Sequence, residues 1–149
     1  MIIANSSPLI ALGRLQKINI LKYFFGSVYI PKAVYQETVV DTVHSEQKAA
    51  LIEAIENKTI IVQKTTFNHP FRRKLHSGEK EVINLAIEKQ ADAILIDDKK
   101  ARNEIIEIGM NFKLFYTTDL LKGAEKRGLI KSYSEVINQL RKLNIYLPE

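Results

Sequence analysis

Short apolar runs alternate with longer amphipathic stretches along the whole chain of 149 residues. Five of the runs are too short for helices and are rich in β-branched or aromatic residues, so we predict that they form β-strands. The run AILI is apolar throughout, which is typical of a strand buried on both faces of a parallel sheet. The predicted strands cover residues 2–4, 28–30, 59–62, 93–96 and 112–116.

The stretches between these runs show helical periodicity and carry helix start and stop signals. The regular alternation of strand and helix predicts an α/β fold, with a parallel sheet of four to five strands and helices on both faces. No linker or repeat interrupts it, so we expect a single domain over residues 1–149. Two predicted helices are defined by their start: one begins at Pro8, with Ser6 or Ser7 as its cap, and the other begins at Pro31. The remaining predicted helices cover residues 18–25, 45–57, 79–89, 99–108, 118–127 and 134–143.

Composition adds two constraints. The chain has no cysteine, which excludes disulfides, Cys-based zinc sites and thiol nucleophiles. The formal net charge is +5, which is consistent with an anionic partner such as nucleic acid or simply with solubility. No targeting signal or membrane span is evident, so we expect a cytoplasmic protein without a membrane partner.

Polar and acidic residues follow the predicted strands. Asn5 follows the first strand, Asp97 and Asp98 follow the strand at 93–96, and Thr118 and Asp119 come shortly after the last strand. Ligands of open parallel sheets bind beyond the carboxyl ends of the strands. The sequence therefore predicts a functional site at this edge of the sheet.

Two helical glutamates are expected to join this edge. Glu79 lies on the inward side of its predicted helix, whereas Glu81 falls on the solvent side. Glu37 shares a face with Ala33, Val34 and Val40, which also points it inward. Inward carboxylates need a compensating charge, and oxygen ligands without His or Cys favour Mg²⁺ or Mn²⁺.

Such an ion supports hydrolysis of a phosphodiester, and the cations that follow Asp98 are placed to meet substrate phosphates. We take Ser6, Lys99, Arg102 and Thr118 as the candidate substrate-binding residues, with Lys100 as a further cation near Asp98.

Each candidate also has a purely structural explanation. Asp98 is placed to cap the helix at 99–108, and Asp119 and Glu79 are placed to complement helix dipoles. Glu37 is alternatively a solvated side chain. Basic residues 72–74 form either an exposed loop or a nucleic-acid contact, and His44, His69 and His76 lack metal-ligand spacing and are expected at the surface.

Four segments together resemble the PIN-domain superfamily, in particular the DUF3368-type PIN-like proteins related to VapC toxins. They are NSSPLIALGRL, IPKAVYQE, SGEKEVINLAIE and ILIDDKKAR, and the likeness extends over essentially the whole chain. The resemblance implies an α/β/α sandwich with a Mg²⁺-dependent ribonuclease site. It also implies an RNA substrate, a small antitoxin protein as partner and a homodimer.

The resemblance places four residues at the acidic catalytic and metal-binding positions. These are Asn5, Glu37, Glu79 and Asp97, with Asp98 and Asp119 as neighbours that could supplement the metal site. The first position departs from the family pattern, because Asn5 stands where an Asp is usual. An amide oxygen can bind Mg²⁺ but brings no negative charge and cannot act as a base.

This departure leaves two functions open: a metal-dependent endoribonuclease of the toxin kind, and a catalytically weakened module that binds RNA or a protein. A phosphoacceptor receiver domain is disfavoured, because the acidic pair follows a late strand rather than the first. A Rossmann dinucleotide-binding domain is disfavoured because no GxGxxG motif follows a strand.

Overall fold

The structure, a computed structural model, describes residues 1–148. Its strands are β1 (Ile2–Ala4), β2 (Val28–Ile30), β3 (Ile60–Val62), β4 (Ala93–Leu95) and β5 (Lys113–Phe115). Its helices are α1 (Ser6–Arg14), α2 (Asn19–Phe25), α3 (Lys32–Tyr35), α4 (Ser45–Glu56), α5 (Ser77–Lys89), α6 (Lys99–Ile108), α7 (Thr117–Lys126) and α8 (Tyr133–Lys142).

All five strands run parallel in one sheet, in the order β3-β2-β1-β4-β5. The chain starts at the central strand β1, moves outward through β2 and β3, and then returns to build β4 and β5 on the other side. Ile3 on β1 is paired with Ile94 on β4. The reversal of strand order between β1 and β4 is a topological switch point, the usual place for a ligand site in such sheets.

Strand β4 shows why both faces of the sheet are covered. Successive residues of a strand point to opposite faces, yet Ala93, Ile94 and Leu95 are all buried. Helices therefore pack on both sides, and the predicted α/β class is confirmed.

The helix that follows β2 differs from its predicted form. After Tyr35 the chain continues as a π-helical turn, Gln36–Val40. The wider turn rotates the later residues relative to a regular α-helix. Thr38 and Val39 are consequently buried, whereas Val40 is 46% exposed, so the predicted shared inward face is wrong beyond Val34.

Two details of the predicted helices are also wrong. Helix α1 begins at Ser6, so Asn5 rather than Ser6 or Ser7 occupies the N-cap position. Helix α4 buries Gln47, Leu51 and Ala54, whereas its sequence periodicity predicts a buried stripe through Ala49, Ile52 and Ile55 or Glu56. The cause is tertiary, because α4 packs closely against Gly13 of α1 through Gln47.

Helix α5 uses its polar residues to fix neighbouring segments. Glu81, expected on a solvent face, accepts a hydrogen bond from the Ala33 N–H at 3.0 Å and so fixes the start of α3. Asn84 and Glu88 accept from backbone N–H groups of the irregular segment before α5, including those of His69 and Phe67. That segment thus lacks regular secondary structure but is held in place by α5.

Within residues 1–148, no helix combines the length and apolarity that a membrane crossing requires.

Candidate active site

A cavity of about 910 Å³ opens beyond the carboxyl ends of β1 and β4. It gathers side chains from four parts of the chain that are distant in sequence. The lining includes the amide and four of the five carboxylates predicted for this edge, namely Asn5, Glu37, Glu79, Asp97 and Asp98. The structure thus brings together most of the residues that sequence reasoning assigned to one site, and Asp119 and Thr118 are the exceptions.

Asn5 lies at the switch point, directly after β1. Its N–H donates to the carbonyl of Leu95 at 2.9 Å, which ties the end of β1 to the end of β4. Its side chain is at the N-cap of α1 but makes no capping hydrogen bond, and Pro8 at the third helical position has no N–H to offer. The amide is 6% exposed and remains available to the cavity.

Three donors hold the carboxylate of Asp97. The Thr117 N–H donates to Oδ1 at 2.8 Å, and the Thr117 hydroxyl donates to Oδ2 at 2.7 Å. The Ser7 hydroxyl donates to Oδ2 at 2.8 Å. These bonds fix a 5% exposed carboxylate in one orientation without neutralising its charge.

Glu37 reaches the cavity from the π-helical turn. It is exposed rather than buried, but its Oε2 accepts from the Ser6 hydroxyl at 2.6 Å. Gly78, at the start of α5, leaves space beside it: a Cβ there would lie 3.7 Å from Glu37 Oε2 and 3.8 Å from Asn5 Oδ1. The missing side chain of Gly78 therefore keeps the space next to these two oxygens free.

Glu79 and Asp98 place two carboxyl groups side by side. Burial raises the pKa of Glu79 above its usual value, and the adjacent Asp98 acts in the same direction. The hydrogen bond from the His76 N–H to Glu79 Oε1, at 2.9 Å, opposes this rise. Ionised Glu79 is thus held in a pocket that disfavours its charge.

Asp98 caps a helix, as predicted, and also lies at the cavity. Its Oδ2 accepts from the Ala101 N–H at 2.9 Å and caps α6, while the side chain also lines the cavity. Asp119 caps α7 by accepting from the Tyr116 N–H at 2.8 Å, and it is not among the residues that line the cavity. The capping explanation therefore accounts fully for the geometry of Asp119.

Thr118 also lies away from the cavity lining. Its hydroxyl donates to the carbonyl of Pro148 at 3.1 Å, and Tyr116 rather than Thr118 occupies the N-cap position of α7. Its neighbour Thr117 is the residue that contacts Asp97. Sequence reasoning chose Thr118 as the substrate-binding candidate, whereas Thr117 is the threonine that contacts a site carboxylate.

The basic residues differ in whether their charged groups contact other parts of the protein. Lys99 lines the cavity and is exposed, and within residues 1–148 it forms no ion pair. Arg102 also lines it, but its Nη1 donates to the Ile96 carbonyl at 2.7 Å and its Cζ lies 3.6 Å from the Tyr116 ring centroid. Arg73 is bound to Glu104 and Glu107 of α6, which makes it structural rather than a free nucleic-acid contact.

No ion pair between residues 1–148 involves the carboxylates of Glu37, Glu79, Asp97 or Asp98. The donor set is all oxygen, which suits a hard divalent cation. Among the described residues, however, no three Asp, Glu or His side chains come close enough to enclose an ion. An ion held here would therefore take few ligands from the protein and would complete its coordination with water or substrate oxygens.

Sequence reasoning missed several residues of the cavity. Ser7 and Thr117 contact Asp97, and the C-terminal residues Asn144, Ile145, Tyr146 and Pro148 form part of the wall. His76, expected at the surface, is indeed exposed but also lines the cavity.

Comparisons with known proteins bear on the fold and the family of the chain. A solved structure of a PilT N-terminus domain protein, SSO1118, from Sulfolobus solfataricus P2 is similar to the chain, with a TM-score of 0.54 and 21% identity. The match covers 83% of this chain and 93% of that one, and it shows the fold. A search of curated proteins gave no significant match. A family model described as a PIN domain matches residues 1–149, and PIN domains are generally nucleases that depend on divalent metal ions. The chain belongs to the PIN-domain family.

Proposed function

We propose that this protein is a Mg²⁺- or Mn²⁺-dependent endoribonuclease that hydrolyses RNA phosphodiester bonds as the toxin of a toxin–antitoxin pair. The observation that carries the proposal is the group of carboxylates at the switch point, which no lysine or arginine of residues 1–148 neutralises. A protein that gathers acidic groups without pairing them pays in stability unless a cation binds there.

Asp97, Glu37 and the amide of Asn5 are the residues that would hold the ion. When bound, a divalent cation lowers the pKa of a coordinated water and stabilises negative charge on a phosphodiester. The hydroxyls of Ser6, Ser7 and Thr117 keep the carboxylates oriented toward the cavity.

Cations near the site suit the anionic substrate. Lys99 is unpaired within the described residues and lines the cavity, so it can approach an RNA phosphate. Glu79 and Asp98 lie beside this space and add to the negative potential that draws a cation in. Ser6 supports Glu37 and is therefore assigned a positioning role rather than direct contact with RNA.

Cleavage of labelled RNA tests the proposal directly. We expect cleavage with Mg²⁺ or Mn²⁺ and none with EDTA, and we expect Asp97→Asn and Glu37→Gln to lower the rate at least about 100-fold. Glu56→Gln is the matched control, because it removes the same charge from an exposed position on α4. Equal rates in Glu37→Gln, Asp97→Asn and the control would exclude this site as the catalytic centre.

Asn5 favours a second candidate function, a catalytically weakened module that binds RNA or a protein partner. A neutral amide at the centre of the site reduces the charge available to a cation. This alternative predicts RNA or protein binding without cleavage and no metal binding at millimolar Mg²⁺ by calorimetry. Metal-dependent cleavage by the wild-type chain would exclude it.

The toxin role, the antitoxin and the homodimer are parts of the proposal that rest on the family resemblance, whereas the cytoplasmic location is the expectation drawn from the sequence itself. Induced expression tests the toxin role: growth should stop with the wild-type chain and continue with Asp97→Asn. Coexpression with a small neighbouring open reading frame tests for an antitoxin, and light scattering of the purified chain tests for a dimer. Normal growth with active wild-type enzyme would contradict the toxin role.

A further inference from the structure

The cavity is larger than a metal ion and a phosphate require. Its volume of about 910 Å³ lies toward the upper end of the roughly 300–1,000 Å³ typical of ligand pockets. Besides the acidic group, its walls include α6, Tyr116 and the C-terminal segment, residues 144–148. These walls have a different chemistry, because two tyrosines and an arginine contribute to them.

The C-terminal segment is held in place although it follows the last helix. The Ile145 N–H donates to the Leu140 carbonyl at 2.9 Å, and the Pro148 carbonyl accepts from Thr118 at 3.1 Å. Ile145 and Leu147 pack against the hydrophobic core. The segment is thus anchored at both ends and in the middle.

This anchoring leaves one large side chain facing outward. Tyr146 lies between the two packed residues and is 71% exposed, yet it lines the cavity. Its two neighbours contact the core, and its own side chain is left at the cavity surface. An exposed aromatic ring on a fixed backbone is a preorganised surface with little conformational entropy to lose on binding.

Arg102 and Tyr116 provide a second planar surface in the same cavity. The guanidinium is held over the Tyr116 ring at 3.6 Å and by the Ile96 carbonyl at 2.7 Å. These two contacts restrict it to one plane. Tyrosine rings and guanidinium planes are the groups on which proteins stack unpaired bases.

We propose that the C-terminal segment forms a nucleobase subsite of this cavity, with Tyr146 as the stacking residue and the Arg102–Tyr116 pair as its neighbouring planar wall. The inference rests on the proposed ribonuclease function, and it names the residues that select the substrate. A base that stacks on Tyr146 must be unpaired, so the subsite restricts binding to single-stranded RNA. Thr118 is a positioning residue here, because it acts through the Pro148 carbonyl.

Fluorescence anisotropy of the full chain with a labelled single-stranded RNA tests the subsite, with EDTA present to prevent cleavage. We expect Tyr146→Ala and Tyr146→Leu to weaken binding roughly 5- to 150-fold, the range for loss of one stacked base. Tyr146→Phe keeps the ring and should bind like the wild type. Tyr23→Ala is the matched control, because Tyr23 is 53% exposed on α2 and does not line the cavity.

A spectroscopic readout separates stacking from a structural effect. An RNA that carries 2-aminopurine should lose fluorescence at one position on binding to the wild type and Tyr146→Phe, but not to Tyr146→Leu. Thermal melting checks that each variant is folded. Unchanged affinity in both Tyr146→Ala and Tyr146→Leu, or equal affinity for the duplex of the same sequence, would overturn the subsite.

The two proposals fail in different ways. Loss of binding in Tyr146→Leu without any metal-dependent cleavage by the wild type supports the subsite and contradicts the nuclease. Cleavage by the wild type with unchanged KM and affinity in Tyr146→Leu supports the nuclease and contradicts the subsite.

Discussion

Two groups of acidic side chains lie near opposite ends of α6, and they differ in whether basic side chains pair with them. At its carboxyl half, Glu104 and Glu107 are paired with Arg73. At its amino end, Asp98 joins Glu79 and the other cavity acids with no arginine or lysine partner within residues 1–148. One helix therefore carries both a compensated and an uncompensated acidic group.

The compensated group shows what folding alone requires. Glu104 is 1% exposed, and its two oxygens accept from the backbone N–H groups of Arg72 and Arg73, at 2.9 and 3.0 Å, and from the Arg73 guanidinium at 3.1 Å. Hydrogen bonds and an ion pair from within the chain therefore compensate the charge of this buried carboxylate. Its function is to attach the irregular segment before α5 to helix α6.

The uncompensated group has hydroxyls and N–H groups as partners instead. These donors orient Asp97 and Glu37 but leave their net charge in place. Proteins tolerate such destabilising arrangements mainly where function needs them. The contrast teaches that the partners of a buried acid, rather than its burial, separate a structural acid from a candidate ligand.

Removing the charge of Glu104 is the change with the largest expected effect on stability. Glu104→Gln leaves one of the two backbone N–H groups facing an amide NH₂, so we expect the free energy of unfolding to fall by about 2 kcal/mol. Urea unfolding measures it. Glu107→Gln is the control at the more exposed partner of Arg73 and should cost much less. If Glu104→Gln left the free energy of unfolding unchanged, the paired acid would be dispensable for folding, and the contrast between the two acidic groups would fail.

The same pair predicts a dependence of stability on pH. Burial alone would raise the pKa of Glu104, but the hydrogen bonds from Arg72 and Arg73 prevail and lower it below its usual 4.5. Because the folded-state pKa is the lower one, the ionised carboxylate stabilises the fold above about pH 4.5, and this stabilisation is lost as the pH falls through the folded-state value. The stability difference between wild type and Glu104→Gln should therefore be constant from pH 7 to 5 and shrink below that. A difference that grows at low pH would contradict the assigned pairing.

Metal addition should stabilise the molecule only through the uncompensated group. At a free concentration ten times its Kd, Mg²⁺ or Mn²⁺ stabilises the folded state by about 1.4 kcal/mol. Thermal melting should show this gain in the wild type and in Glu104→Gln, but not in Asp97→Asn. A gain that survives Asp97→Asn would place the ion elsewhere.

The sequence could predict features that depend on local signals but not those that depend on packing between distant parts of the chain. The five strands were predictable because each is a short apolar run with local signals, and the edge site followed because parallel strands end together. The π-helical turn and the buried stripe of α4 were not, because packing against other elements decides them. Gln47, for example, is buried by Gly13, a partner more than thirty residues away.

The site residues also divide into those that local sequence signals predict and those that only tertiary packing determines. Asn5, Glu79 and Asp97 were predictable from strand ends and helix faces. The roles of Ser7 and Thr117 were not, since a hydroxyl has no periodic signal of its own. Whether an acid such as Asp119 only caps its helix depends on which side of the sheet edge it faces, and this became visible only in three dimensions.

The smallest expected effect comes from restoring charge to the centre of the site. Asp caps a helix as well as Asn does, and a negative charge is favourable at the start of α1, so Asn5→Asp should fold normally. It adds a carboxylate beside Glu37, which should tighten binding of Mg²⁺ or Mn²⁺ several-fold. Isothermal titration calorimetry measures the affinity.

Asn103→Asp is the matched control, because it adds the same charge to the cavity wall from α6, away from the switch point. If both variants gain equally, the effect is general electrostatics, and Asn5 is not a ligand. A gain confined to Asn5→Asp would identify position 5 as a ligand position of the cation.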